Sequence, residues 1–286
     1  MDGEAVARQE VGFFGPAGSR LFGCLHLSGG PTRGAVLVCP ALHAELIANY
    51  RKEVLLARAL SAAGLAALRF QYRGSGNSEG ESRAATFDSM LQDARAAIRH
   101  LRERTGADAL GLVGTRYGAL VAAATADAGA PLLLWDPVVD PERYFRETFR
   151  ARLIHDMRAG RASRAGSRGM LEELRREGSV DVLGYEITRD LYDSSVRVTL
   201  AELLRGAPRP LLVLQLSSDP EVRVEYLELL ATLAEAGVRA TVDVVPEDPA
   251  WWFFDETWEP EEAGAGTRAL VDGSVAWLAQ RLRAVP

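Results

Sequence analysis

The chain has 286 residues, 48% hydrophobic and 25% charged, with a formal net charge of -6. That is ordinary globular composition with enough length for a sizeable core, and arginines dispersed among acids rather than gathered in a stripe exclude a nucleic-acid role. No apolar run approaches the roughly 20 residues a membrane span needs, and the acidic first ten residues are no secretory signal, so a cytoplasmic chain is expected.

In chain order, residues 11–14 and 21–27 are short apolar runs separated by Gly15, Pro16 and Gly18, which predicts a hairpin. Residues 35–39 form a continuous apolar run suited to a buried parallel strand. Helical periodicity follows over 51–63 and stops at Gly64, a C-terminal cap signal. A strand over 65–70, a helix over 87–104, a strand over 109–113, a helix over 117–128 and a strand over 131–135 continue the alternation. Strands alternating with helices of ten or more residues predict a mostly parallel, doubly wound α/β sheet.

Residues 136–209 break the pattern. Helical, Arg- and Glu-rich stretches over 141–157, 170–177 and 186–204 are joined by the flexible-looking 160–169. The expectation is one domain over 1–286 with a helical cap inserted at about 137–209. Alternation resumes with a strand over 211–216, a helix over 222–237, a strand over 240–245, a Trp-rich loop and a closing helix over 267–283.

Between the strand ending near residue 113 and its helix stands Gly114-Thr115-Arg116-Tyr117-Gly118. Strand, G-x-x-x-G, helix is the setting of a nucleophile elbow, whose central residue projects above the sheet as Ser, Cys or Asp. Here it is Arg116. A guanidinium stays protonated and attacks nothing, but its fork of donors at a helix N-terminus suits an anion. The Tyr117 N–H keeps the place of an oxyanion donor.

Other landmarks agree. Gln71-Tyr72-Arg73-Gly74-Ser75-Gly76-Asn77-Ser78 resembles the D-x-R-G-x-G-x-S turn of α/β hydrolases, and Ser217-Ser218-Asp219-Pro220 occupies the place of a triad acid. The third triad member is missing: the four histidines are His26, His43, His100 and His155, none in the loop at 246–253. Cys24 and Cys39 have no metal-ligand spacing, so reduced thiols, no metal and no cofactor are expected.

The elbow Gly114-Thr115-Arg116-Tyr117-Gly118-Ala119-Leu120, with Cys39-Pro40, Ala44-Glu45, Arg51-Lys52, Leu133-Leu134-Trp135-Asp136-Pro137-Val138, Glu142-Arg143-Tyr144, Phe149-Arg150, Val182-Leu183-Gly184-Tyr185-Glu186 and the loop at 249–252, resembles the exosortase A system-associated type 2 hydrolases. These lie within the serine aminopeptidase (S33)-like α/β hydrolases. The resemblance runs from about residue 35 onward and implies an α/β-hydrolase fold, an arginine at the elbow and an aromatic in the histidine loop. Asp136 and Thr115 depart from it.

Candidate site residues follow. Asp219, His43 and Glu45 are candidate bases. Arg116, Tyr117, Trp251, Trp252 and Arg150 are candidate ligand contacts. Two readings of Arg116 stand side by side: an anchor for a substrate anion, and an internal salt bridge to Asp219. Likewise Trp251 and Trp252 either pack on the cap or wall a ligand, Glu45 either acts as a base or pairs with Arg51 or Lys52, and the 146–152 arginines read as a solvated face unless Arg150 turns inward.

The function expected is an atypical α/β-hydrolase-fold protein without the Ser-His-Asp triad. It binds a small-molecule or peptidyl/acyl substrate with an anionic group, partly apolar, under the cap, for non-hydrolytic or water-mediated chemistry in a biosynthetic pathway. The alternatives are a pseudoenzyme serving a biosynthetic protein partner, and an ester, thioester or peptide hydrolase in which Ser217, Ser218 or Thr115 takes over as nucleophile.

Overall fold

The computed structural model describes residues 8–158, 167–206, 209–247 and 263–282. Its main sheet has eight strands: β1 (Arg8–Phe14), β2 (Leu21–Leu27), β3 (Ala35–Cys39), β4 (Ala66–Phe70), β5 (Leu110–Thr115), β6 (Leu132–Trp135), β9 (Leu211–Leu216) and β10 (Thr241–Val245). Their order is β1-β2-β4-β3-β5-β6-β9-β10. The β1–β2 and β2–β4 pairings are antiparallel and the rest parallel. The expected hairpin is therefore present, and it continues a parallel sheet.

Both faces of that sheet are covered, which is why its central strands are continuous apolar runs rather than alternating ones. In β3, Ala35, Leu37 and Cys39 join one core while Val36 and Val38 join the other, the two-residue side-chain period of a strand. One face carries helices α2 (Phe87–Thr105) and α3 (Gly118–Thr125); the other carries α1 (His43–Ala62) and the last helix, α9 (Ala265–Arg281). Trp135 is fully buried against α9, and its indole N–H donates to Ser274 Oγ at 3.0 Å.

α1 begins at His43, eight residues before the periodicity predicts. Its first turns bury Glu45, Asn49, Lys52 and Glu53 and expose Ile47 and Tyr50 at 60% and 46%, so the apolar stripe by which a buried helix is recognised is inverted there. α2 is closed as its sequence suggests. Thr86 accepts from the Ser89 N–H in a capping box, and Gly106, at φ 63°, ends the helix in the left-handed region.

The long β6–β9 crossover holds α4 (Pro141–Arg158), α5 (Ser167–Glu177), α6 (Arg189–Ser195), α7 (Leu200–Leu204) and a two-stranded hairpin, β7 (Ser179–Val182) with β8 (Tyr185–Thr188). The helix expected over 186–204 is thus a strand and two short helices. Thr188 and Thr199 each accept from the backbone N–H three residues on, starting a new helix each time. α8 (Val224–Glu235) links β9 to β10. Among the described residues no helix is long and apolar enough to cross a membrane.

Candidate functional site

The site sits where the parallel strands end. The glycines of the elbow are forced by contact: a Cβ on Gly114 would lie 2.5 Å from Ala119 Cα, and one on Gly118 would lie 2.1 Å from the Cys39 carbonyl oxygen. Between them Arg116 adopts φ 51°, a left-handed conformation that costs a non-glycine residue energy. The sharp turn expected of an elbow is present.

What Arg116 does there follows from register. Thr115 pairs with Trp135 across β5 and β6, so the next residue on each strand, Arg116 and Asp136, stand side by side. Arg116 Nη1 donates to the Asp136 carbonyl at 2.8 Å and reaches its carboxylate at 3.4 Å, while Nε donates to Glu45 Oε1 at 3.0 Å. Glu45 comes from the first turn of α1 and also accepts from the Tyr144 hydroxyl of α4 at 3.2 Å. Asp136, at φ 46°, further accepts from the Tyr226 hydroxyl of α8 at 3.1 Å and pairs with Arg223.

Glu45, Arg116 and Asp136 are all buried. Two acids and two arginines from four segments therefore neutralise one another around the elbow. Burial opposes the charge on Arg116, but Glu45, Tyr226 and Tyr144 outweigh it and its pKa is raised. Burial likewise lifts the Glu45 carboxyl above its usual range, with Arg116 pulling the other way.

The closed salt bridge weighed for Arg116 exists, with different partners. Asp219 is exposed in the turn after β9, its carboxylate accepting from the Glu221 N–H at 3.0 Å. The chain turns outward at Ser217, whereas Asp136 directly follows β6, beside the elbow. Glu45 pairs with Arg116 rather than with Arg51 or Lys52; Lys52 lies 3.7 Å from Glu247. Glu247, just past β10 where a triad histidine would follow, also accepts from Thr267 Oγ1 at 3.0 Å.

The remaining candidates separate. The Tyr117 side chain is fully buried, its hydroxyl 2.5 Å from Ser195 Oγ, so only its backbone could face a ligand. Arg150 is exposed on α4. Trp251 and Trp252 lie outside the described residues. Thr115 is buried beneath the elbow, and Ser217 Oγ accepts from the Asp219 N–H at 3.0 Å. The turn at 71–78 is structural: Gln71 Oε1 accepts from the Asn77 N–H, and Arg73 is paired with Asp93.

His43 does line a cavity, of about 630 Å³. Its walls are the α1 stripe His43, Leu46, Ile47, Tyr50 and Arg51, the 71–76 turn, Met90, and Gly184–Glu186 of the β7–β8 hairpin. The His43 ring lies 5.5 Å from that of Tyr185, and burial lowers its pKa to about 4, so the imidazole is neutral at pH 7. Arg116 is not part of these walls.

Asp136, Arg223, Tyr144 and Tyr226 complete the charge network and were not candidates in the sequence. A usable signal existed for Asp136 alone: it directly follows a predicted strand that neighbours the elbow strand. Among the described residues no cluster of His, Cys, Asp and Glu could hold a metal ion.

Comparison with known proteins fits this geometry. The family model of serine aminopeptidase S33 matches residues 30–158. Est1E from Butyrivibrio proteoclasticus superposes with TM-score 0.64 at 13% identity, over 95% of this chain and 98% of that one. A Rhizomucor miehei esterase gives 0.60 at 15%, over 97% and 84%. An α/β serine hydrolase without lid from Xanthomonas campestris gives 0.55 at 18%, over 98% and 97%. Identities this low speak for the fold alone, and no curated protein matches. Strand order, elbow and these superpositions together show an α/β-hydrolase fold, and residues 30–158 are similar to the serine aminopeptidase S33 family.

Proposed function

We propose that this protein binds a partly apolar small molecule with an anionic end in the cavity under its cap, and that it does so without Ser-His-Asp chemistry. The observation that carries this is the pairing of a ligand-sized cavity with an elbow whose side chain is already satisfied. A cavity of about 630 Å³ falls within the range of small-molecule sites. Ile47 and Tyr50 stand exposed on its rim, an apolar cost that a ligand's hydrocarbon would recover. The anionic end is favoured by Arg51 and by the N-terminus of the 20-residue α1, both in the cavity wall.

Arg116 enters this reading as the tie that holds α1, the elbow and β6 together beside the cavity, rather than as the anchor itself. His43, neutral and on the wall, is the group placed to hydrogen-bond a ligand or to take a proton.

The test combines fluorophosphonate labelling, read by intact mass, with binding of decanoate to the native chain and to Ile47→Glu. Expected are no adduct, and loss of decanoate from this cavity in the variant. A stoichiometric adduct, or decanoate binding that Ile47→Glu leaves untouched, overturns the proposal.

A further inference from the structure

A second depression of about 530 Å³ lies elsewhere on the molecule, between α2, α3 and the α6–α7 corner. Its apolar part is Phe87, Leu91, Ala123, Ala124, Val198 and Leu203, and none of its residues lines the cavity beside His43. Two arginines, Arg197 and Arg209, border it.

Among the described residues neither arginine forms an ion pair. Glu202, also on the border, accepts the Thr199 N–H and hydroxyl on Oε2, and neither it nor Asp88 pairs with either arginine. Arg209 is the more telling of the two. It is half-buried, its Nε is shut off from solvent with no acceptor, and its one hydrogen bond is a long 3.5 Å contact to the Ala126 carbonyl. Burial lowers its pKa, against the pull of Asp127, whose carboxylate is itself engaged by Arg102. A partly desolvated cation that makes no ion pair, its nearest carboxylate being held by a second arginine, is a costly arrangement that an incoming anion would relieve.

The geometry points to a second binding site in this groove, for a carboxylate carried on a short apolar chain, with Arg209 and Arg197 holding the carboxylate and the α2–α3 surface taking the chain. Guanidinium groups match a carboxylate's two oxygens, and the alanines of α3 leave room for a methylene chain to lie flat.

The assay is calorimetric titration of the full chain with decanoate, and with decanol as the uncharged control, using native protein, Ile47→Glu, Arg209→Gln and Arg197→Gln. The native chain binds two decanoates. Ile47→Glu keeps the one in this groove, and either arginine variant weakens that one by about tenfold or more, the worth of a lost charge-assisted hydrogen bond. Decanol shows no such dependence on the arginines.

If the native chain binds one decanoate and Ile47→Glu abolishes it, or if both arginine variants bind two with native affinity, the second site is overturned and the first stands. If one decanoate binds and only the arginine variants lose it, the second site stands and the cavity beside His43 is the reading that fails. Arg197 and Arg209 lie at the surface or half-buried, so the two variants check each other against loss of folding.

Discussion

Replacing Arg116 by methionine removes one member of the buried network and keeps most of its volume. Asp136 retains Arg223 and the Tyr226 hydroxyl. Glu45, with no solvent exposure, is left with the Tyr144 hydroxyl at 3.2 Å. The loss is therefore that of one orphaned carboxylate, about 3–5 kcal/mol by the behaviour of broken buried pairs. Burial already raises the Glu45 pKa with Arg116 in place, and without the guanidinium it rises further.

A carboxyl whose folded pKa exceeds its unfolded value of 4.5 is protonated in the native state where the unfolded chain has lost the proton. Stability then falls as pH rises above that value, by up to about 1.4 kcal/mol per pH unit. Arg116→Met is thus expected to cost little near pH 5 and most near pH 8. Urea unfolding at pH 5, 6.5 and 8 measures this, and Glu45→Gln added to Arg116→Met should recover most of the loss at pH 8. A cost below about 1 kcal/mol that is the same at pH 5 and pH 8 would show that Arg116 is not committed to Glu45 and would return it to the role of a free anion anchor.

Two further outcomes test neighbouring parts of the argument. Glu53, buried on α1, has its pKa raised by burial to about 7 against the pull of Arg69. It therefore withdraws stability as pH climbs from about 4.5 to about 7. Glu53→Gln should flatten that decline and be more stable than the native chain at pH 8, as read by thermal unfolding across pH. Gly118→Ala puts a methyl 2.1 Å from the Cys39 carbonyl oxygen, a backbone atom that cannot yield. The variant should fail to give a native circular-dichroism spectrum; a folded Gly118→Ala would refute the close approach of β3 to the elbow.

The sheet was legible because its information is local. Apolar runs such as 35–39 and 211–216 appear as strands of those bounds, and the glycines around Arg116 mark a contact that no other residue allows. The crossover between β6 and β9 was read less well. Val182-Leu183-Gly184-Tyr185 is a tight hairpin with both Leu183 and Gly184 at positive φ, and helix-favouring charges around it conceal so short a turn. The start of α1 escaped because its first turns expose Ile47 and Tyr50, where periodicity looks for polar residues.

The site was legible in its position and not in its pairing. A triad template directs attention to Asp219, because in a working hydrolase the acid reaches the nucleophile through a histidine that fills the space between them. The loop at 246–253 holds no histidine, and the hydrogen bonds of Asp219 among the described residues stay within its own turn. The cation instead takes the acids delivered by elements that end beside it, Asp136 on the adjoining strand and Glu45 in the first turn of α1. Register between β5 and β6 makes the first of these nearly obligatory, and it is a tertiary fact that neither Gly114–Gly118 nor the run 132–135 states alone.

That arrangement also explains how an arginine can occupy so strained a position. An elbow residue at φ 51° is tolerated only if its surroundings hold it there. In a hydrolase the reward is catalytic, an exposed nucleophile over an oxyanion site. Here the reward is structural. The same projection that would aim a hydroxyl at a substrate aims a guanidinium at two buried carboxylates, and through Tyr144 and Tyr226 it ties the elbow to α4 and α8. Arg116→Ser would keep the turn and leave Glu45 with the Tyr144 hydroxyl alone. The turn itself is set by the glycines, whose contacts leave no room for a Cβ, and not by the residue between them.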